Sequence, residues 1–96
     1  MIVRSIRDRG LRLLYEDDSP RLLKQDLAER VRGILAALAM AETMDGFIRE
    51  APPGWRVHRL SGDRSSEWSV SVSDNWRITF KERDGAIERL NLEDYH

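Results

Sequence analysis

The chain has 96 residues, of which 41% are hydrophobic, and 16 Lys+Arg against 17 Asp+Glu give a formal net charge of −1. That length suits one domain over residues 1–96 with one modest core, and the charge balance excludes indiscriminate nucleic-acid binding while leaving room for a local basic patch. With no cysteine, disulfides and thiolate metal sites are excluded, and the reducing cytoplasm is the natural compartment.

Met1 is followed by Arg4, Arg7 and Arg9 with no apolar run behind them, so no signal peptide is expected. Met1 to Ser5 reads as a short leading strand, and Asp8 to Tyr15 as a short helix with Leu11 and Leu14 apolar. Asp17-Asp18 then breaks the pattern. Ser19 suits an N-cap and Pro20 the first helical position, and from there Leu23, Leu27, Val31, Ile34, Leu35 and Leu38 fall on one face of a longer helix. Gly33 weakens that helix, and close packing on a sheet is one reason to keep it. Ile34 to Ala41, the longest mostly apolar stretch, is too short to span a membrane. Glu42 to Ile48 is expected to be a further short helix, which Ala51-Pro52-Pro53-Gly54 ends.

The second half alternates. A strand from Trp55 to Leu60 precedes the loop Ser61-Gly62-Asp63-Arg64. Trp68, Val70 and Val72 point one way, with Ser69, Ser71 and Ser73 the other. Trp76, Ile78 and Phe80 oppose Arg77, Thr79 and Lys81 in the same manner, with a turn near Asp74-Asn75. Asp84-Gly85 is a strong hairpin turn leading to a last strand from Ala86. There Ile87 is out of phase with Leu90 and Leu92, which predicts a bulge or burial on both faces. The fold class is α+β: N-terminal helices on one face of an antiparallel sheet, with the other face polar.

That polar face carries Arg77 by parity. It carries His58 too if Val57 faces the core. The last strand brings Asp94, Tyr95 and His96 to one end of the sheet. These groups suit metal-independent RNA cleavage, in which the substrate's own 2′-OH attacks the neighbouring phosphate. The reaction needs a base, an acid and a cation beside the phosphate. Imidazole transfers protons near neutral pH, guanidinium binds phosphate, and Tyr95 suits stacking on or orienting a nucleobase. Asp94 is a base in its own right or orients an imidazole. The plain alternative is a surface His58, an Arg77 paired with Glu88 or Glu67, and a solvated chain end. His58, His96, Asp63 and Asp94 share no recognised ligand spacing, so neither a metal nor any other cofactor is expected. A Gly-x-Ser-x-Gly elbow and a phosphate-cradling glycine loop are both lacking.

The segments LSGDRSSEWSVSVSDNWRITF and LNLEDYH, with IRDRGLRLLYE near the start, closely resemble the HigB toxins, the plasmid maintenance system killer branch of the RelE/ParE superfamily. The resemblance covers nearly the whole chain and is most specific at Leu60 to Phe80 and Asn91 to His96. It implies a compact antiparallel sheet with helices on one face. It also implies a ribosome-dependent endoribonuclease that cuts mRNA in the A site of the 70S ribosome. The partner it implies is a HigA-type helix-turn-helix antitoxin, with which the toxin forms a heterotetramer that represses its own operon. Contact with operator DNA is then made only through that complex, and no membrane is involved.

By the same resemblance His58 stands at an active-site histidine, Arg77 at the phosphate-stabilising arginine, and Asp94, Tyr95 and His96 at the terminal trio. Asn75 matches a nucleobase contact. Asp94 or His96 is expected to take the 2′-OH proton, with the other imidazole assisting; which group is acid and which is base stays open. Ser61 stands where related toxins commonly carry a lysine, and Arg59 or Arg64 is the candidate replacement cation for RNA binding. The net charge also departs from these usually basic toxins, which points to a local stripe of Arg4, Arg7, Arg9 and Arg12. A different class of reading stays open on the same fold: a non-nuclease toxin with a gyrase-type target, or a module that only binds an antitoxin.

Overall fold

The computed structural model describes residues 1–94. Along the chain run β1 (Ile2–Val3), α1 (Arg9–Asp17), α2 (Gln25–Met40), α3 (Met44–Glu50), β2 (His58–Arg59), β3 (Glu67–Ser71), β4 (Trp76–Arg83) and β5 (Ala86–Asp94), with 3₁₀ turns at Pro53–Trp55 and Gly62–Arg64. The strands form one sheet in the order β1-β5-β4-β3-β2. Neighbours from β2 to β5 are antiparallel, but β1 runs parallel to β5. The sheet is therefore mixed and not wholly antiparallel. Tight turns force reversal between consecutive strands, whereas the long helical connection after β1 leaves its direction to packing.

The core lies between the helices and one face of the sheet. Leu11 and Leu14 of α1, Val31, Ile34 and Leu38 of α2, and Phe47 of α3 meet Val70, Ile78, Phe80, Ile87 and Leu90 of the strands. Phe80 is fully buried and meets Phe47 edge-on, with ring centroids 6.4 Å apart. Burial of these side chains is the main source of stability. None of the helices among the described residues is long and apolar enough to cross a membrane.

Several boundaries differ from the pattern reading, each for a local reason. Asp8 is the N-cap of α1, its carboxylate accepting the Leu11 N–H at 2.9 Å. Asp18 closes α1 in a left-handed conformation, and the Ser19 N–H bonds back to the Leu13 carbonyl. Ser19 is thus engaged in stopping α1 and does not start α2, which begins at Gln25 with Lys24 as its N-cap. Thr43 caps α3 by accepting the Gly46 N–H at 3.0 Å. Gly33 is exposed, with nothing within 4 Å of where a Cβ would stand, so it does not serve close packing. The strand expected over Trp55 to Leu60 shrinks to His58–Arg59, because Pro53–Trp55 forms a 3₁₀ turn and Arg56 takes φ 48°.

The hairpin from β4 to β5 positions the polar face. Asp84 and Gly85 both have positive φ, 53° and 82°, as a two-residue type I′ turn requires. Beyond the turn Lys81 pairs with Glu88, yet Thr79 pairs with Asn91, so Arg89 and Leu90 together oppose the single residue Phe80. This is the bulge that the phase of Ile87 predicted, and it lets Ile87 and Leu90 both reach the core. Arg89 takes φ 55°, and Ser5 holds it in place: the Ser5 Oγ accepts the Arg89 N–H at 2.8 Å and the Ser5 carbonyl accepts the Leu90 N–H at 3.1 Å. One inserted residue moves every later side chain to the opposite face. An unbulged β5 would set Leu92 and Asp94 beside Arg77; the bulged one sets Glu93 there.

Candidate active site

Cross-strand partners share a face, so the register defines the polar surface. His58, Ser69, Thr79 and Asn91 form one row across the sheet. Ser71, Arg77 and Glu93 form the next, and Glu67, Lys81 and Glu88 lie on the other side of the first. Two strand spacings and one row separate His58 from Arg77, roughly 12 Å between backbones.

An ion cluster spans this face. The guanidinium of Arg64, in the Gly62–Arg64 turn, binds Glu67 of β3 through Nε at 2.9 Å and Nη2 at 3.0 Å. It binds Glu93 of β5 through Nη1 at 3.0 Å and Nη2 at 2.6 Å. Reaching from β3 to β5, it crosses above Thr79 of β4, whose hydroxyl donates to Glu93 Oε2. Thr79 and its neighbour Ser69 are fully buried. Arg77 Nη2 lies 3.9 Å from Glu93 Oε1. The Arg64 bonds, assisted by the Thr79 hydroxyl and the nearby charges and opposed by desolvation, hold the Glu93 carboxyl down at about 2. Hydrogen bonding to Arg64 likewise lowers the Glu67 pKa, and the two carboxylates, Glu67 first, raise that of Arg64.

The remaining sequence candidates separate. His58 is exposed, and its Nδ1 lies 2.6 Å from the Arg56 carbonyl. A carbonyl only accepts, so Nδ1 carries the hydrogen and a neutral His58 keeps its lone pair on Nε2, as a proton acceptor needs. Arg59 pairs with Trp68 on the opposite face, its guanidinium 5.0 Å over the indole. Stacked there it stands on the face away from His58 and Arg77. Arg64 is on the polar face, but its charge is met by two carboxylates. Arg77 pairs with neither Glu88 nor Glu67 but with Glu93, while Glu88 pairs with Arg83. Asn75 is exposed in the turn before β4, at the Arg77 end of the sheet. Asp94 pairs with Trp76, so its side chain leaves β5 on the helix-side face, away from Arg77. Tyr95 and His96 lie outside the described residues. Of the expected basic stripe, Arg9 and Arg12 are on α1, whereas Arg4 and Arg7 precede it.

Pattern reading put Thr79 on this face without a role and missed Glu93. The one available signal was the odd phase of Ile87, which announces a change of face, although where the extra residue sits depends on Ser5. Beside Ser71, a polar cleft of about 430 Å³ is lined by Arg30, Arg56, Ser73 and Asp74, with Arg30 Nη1 donating to the Val72 carbonyl at 3.1 Å.

Residues 4–96 match the family model described as the RelE-like toxin of the type II toxin–antitoxin system HigB. The chain belongs to the HigB-like toxin family. It is 34% identical over 95 residues, 99% of its length, to the whole of Endoribonuclease HigB of Proteus vulgaris. In fold it is similar to the crystal structure of a YafQ mutant from E. coli, with a TM-score of 0.61 at 10% identity, covering 96% of this chain and 90% of that one. YafQ from E. coli strain BL21(DE3) gives 0.58 at 12% identity over the same shares. At such identities these two show the fold alone, the α+β sheet with helices on one face. Membership of a type II toxin–antitoxin family implies an antitoxin partner for this HigB-like chain.

Proposed function

We propose that this HigB-like toxin is a ribosome-dependent endoribonuclease that cuts mRNA in the A site without a metal. The observation that carries the reading is the full-length match to a relative named an endoribonuclease; the Arg77 and His58 face gives it chemistry. Attack of the 2′-OH on the adjacent phosphorus forms a cyclic phosphate and releases the 5′-oxygen. Arg77 stabilises the charge that builds on the phosphate oxygens. His58 Nε2 and the imidazole of His96 act as the proton-transfer pair, and Tyr95 orients the base. For Asp94 to take part, the RNA has to pass round the end of β5, where Asn75 also contacts it. Arg30 and Arg56 lie along the path of the flanking backbone. The partners on this reading are the 70S ribosome and its mRNA in the cytoplasm, and a HigA-type antitoxin through which alone operator DNA is bound.

The test is a translation extract given purified protein, with mRNA ends mapped by primer extension. Cuts are expected only on translated message, and Arg77→Ala is expected to slow them by about a hundredfold or more, the scale of losing one transition-state donor. His96→Ala should abolish them. Folded wild-type protein that leaves translated mRNA intact would instead favour a gyrase-type or antitoxin-binding toxin.

A further inference from the structure

We propose that Arg64 is a positioning residue that keeps the carboxylate of Glu93 from occupying the substrate phosphate's place at Arg77; this rests on the ribonuclease reading above. Glu93 stands directly opposite Arg77 in the register. A carboxylate at that place competes with a phosphate, since both offer a pair of anionic acceptor oxygens to the guanidinium fork. The distances show where Glu93 is held. Its two oxygens lie 3.0 and 2.6 Å from Arg64 nitrogens, and its nearest contact with Arg77 is 3.9 Å. Thr79 donates to the same oxygen that Arg64 Nη2 grips.

Arg64 is able to pull because it is anchored elsewhere. Glu67, on the far side of the Thr79 row, takes its Nε and Nη2 at 2.9 and 3.0 Å. The guanidinium is thus fixed between two carboxylates and draws Glu93 towards Thr79. It also offsets the negative charge of Glu93 beside the site where a phosphate has to bind. Arg64 therefore serves the substrate through Glu93 rather than by touching RNA.

The experiment measures single-turnover cleavage against the concentration of mRNA-programmed ribosomes for wild type, Arg64→Ala, Glu93→Gln and the double variant, with thermal melts of each. For Arg64→Ala the half-saturating concentration is expected to rise about tenfold, with a smaller fall in the maximal rate. Glu93→Gln in the Arg64→Ala background should restore most of that loss, because the amide carries no charge to compete. A purely architectural Arg64 predicts the opposite: the double variant would stay as impaired as Arg64→Ala, which would overturn the proposal. Should Arg64→Ala not fold, Arg64→Lys keeps the charge without the four-bond geometry, and its loss should likewise be relieved by Glu93→Gln. A wild type that never cleaves sinks the ribonuclease reading and this role with it; a cleaving wild type without rescue sinks this role only.

Discussion

The two faces of the sheet come from the same strands but are held in different ways. On the helix side Val70, Ile78 and Phe80 are buried by non-directional packing, and neighbouring apolar groups share the load. On the other side a single guanidinium joins Glu67 to Glu93 through four hydrogen bonds, beside Arg77. The apolar face tolerates small shifts in position, since any apolar neighbour of suitable size fills the space. The polar face does not, because each of its four bonds needs its own donor and acceptor in place. The fold is therefore robust on the side that stabilises it and exacting on the side that carries the candidate site.

Breaking the apolar side should cost the most stability. Phe80→Ala removes a fully buried ring and is expected to lower unfolding stability by about 3–5 kcal/mol in urea denaturation. Thr79→Val sharpens the contrast. It keeps the shape of a fully buried side chain but removes the donor to Glu93, for an expected loss of about 1–2 kcal/mol.

The Arg64 bonds to Glu93, assisted by the Thr79 hydroxyl, set an acid sensitivity. Glu93 sits at about 2 in the folded chain against an ordinary 4.5. The unfolded chain thus takes up the proton first as pH falls. The stabilisation is full above about 4.5 and is lost progressively towards about 2. In Thr79→Val the acid-linked loss should be smaller and should end at higher pH than in wild type, with the same onset near 4.5, and identical profiles would show that Thr79 does not hold Glu93. The smallest effect belongs to a position on neither face. Gly33 is in the middle of α2 with open space around it, so Gly33→Ala should raise stability by about 0.5–1 kcal/mol through helix propensity, with cleavage unaltered.

Much of the fold was legible because it rests on local rules. The spacing of Leu27, Val31, Ile34, Leu35 and Leu38 marked the buried stripe of α2, and the alternation around Trp68 and Trp76 marked the β3–β4 hairpin. Asp84-Gly85 marked the turn before β5. Arg77 and His58 were legible as polar-face residues for the same reason of parity. Ser19 misled because a residue fit to start a helix is equally fit to help stop the one before it. Arg59 misled although parity was available, since the alternation that puts His58 on the polar face puts Arg59 on the other, beside Trp68. Arg64 lies on the polar face, but its carboxylate partners lie 3 and 29 positions away, and no local pattern reports the second.

By itself the sequence determined that this chain packs helices against one face of a sheet, which strands form hairpins, and that Arg77 and His58 point away from the core. Apolar periodicity and turn chemistry act within a few residues, so the linear order contains them. Only the tertiary structure decided that β1 lies parallel to β5, that Ser5 pins the bulge at Arg89, and that Glu93 rather than Asp94 faces Arg77. The position of a bulge depends on a partner 84 residues away in the chain, and one residue of register decides which carboxylate the polar face receives.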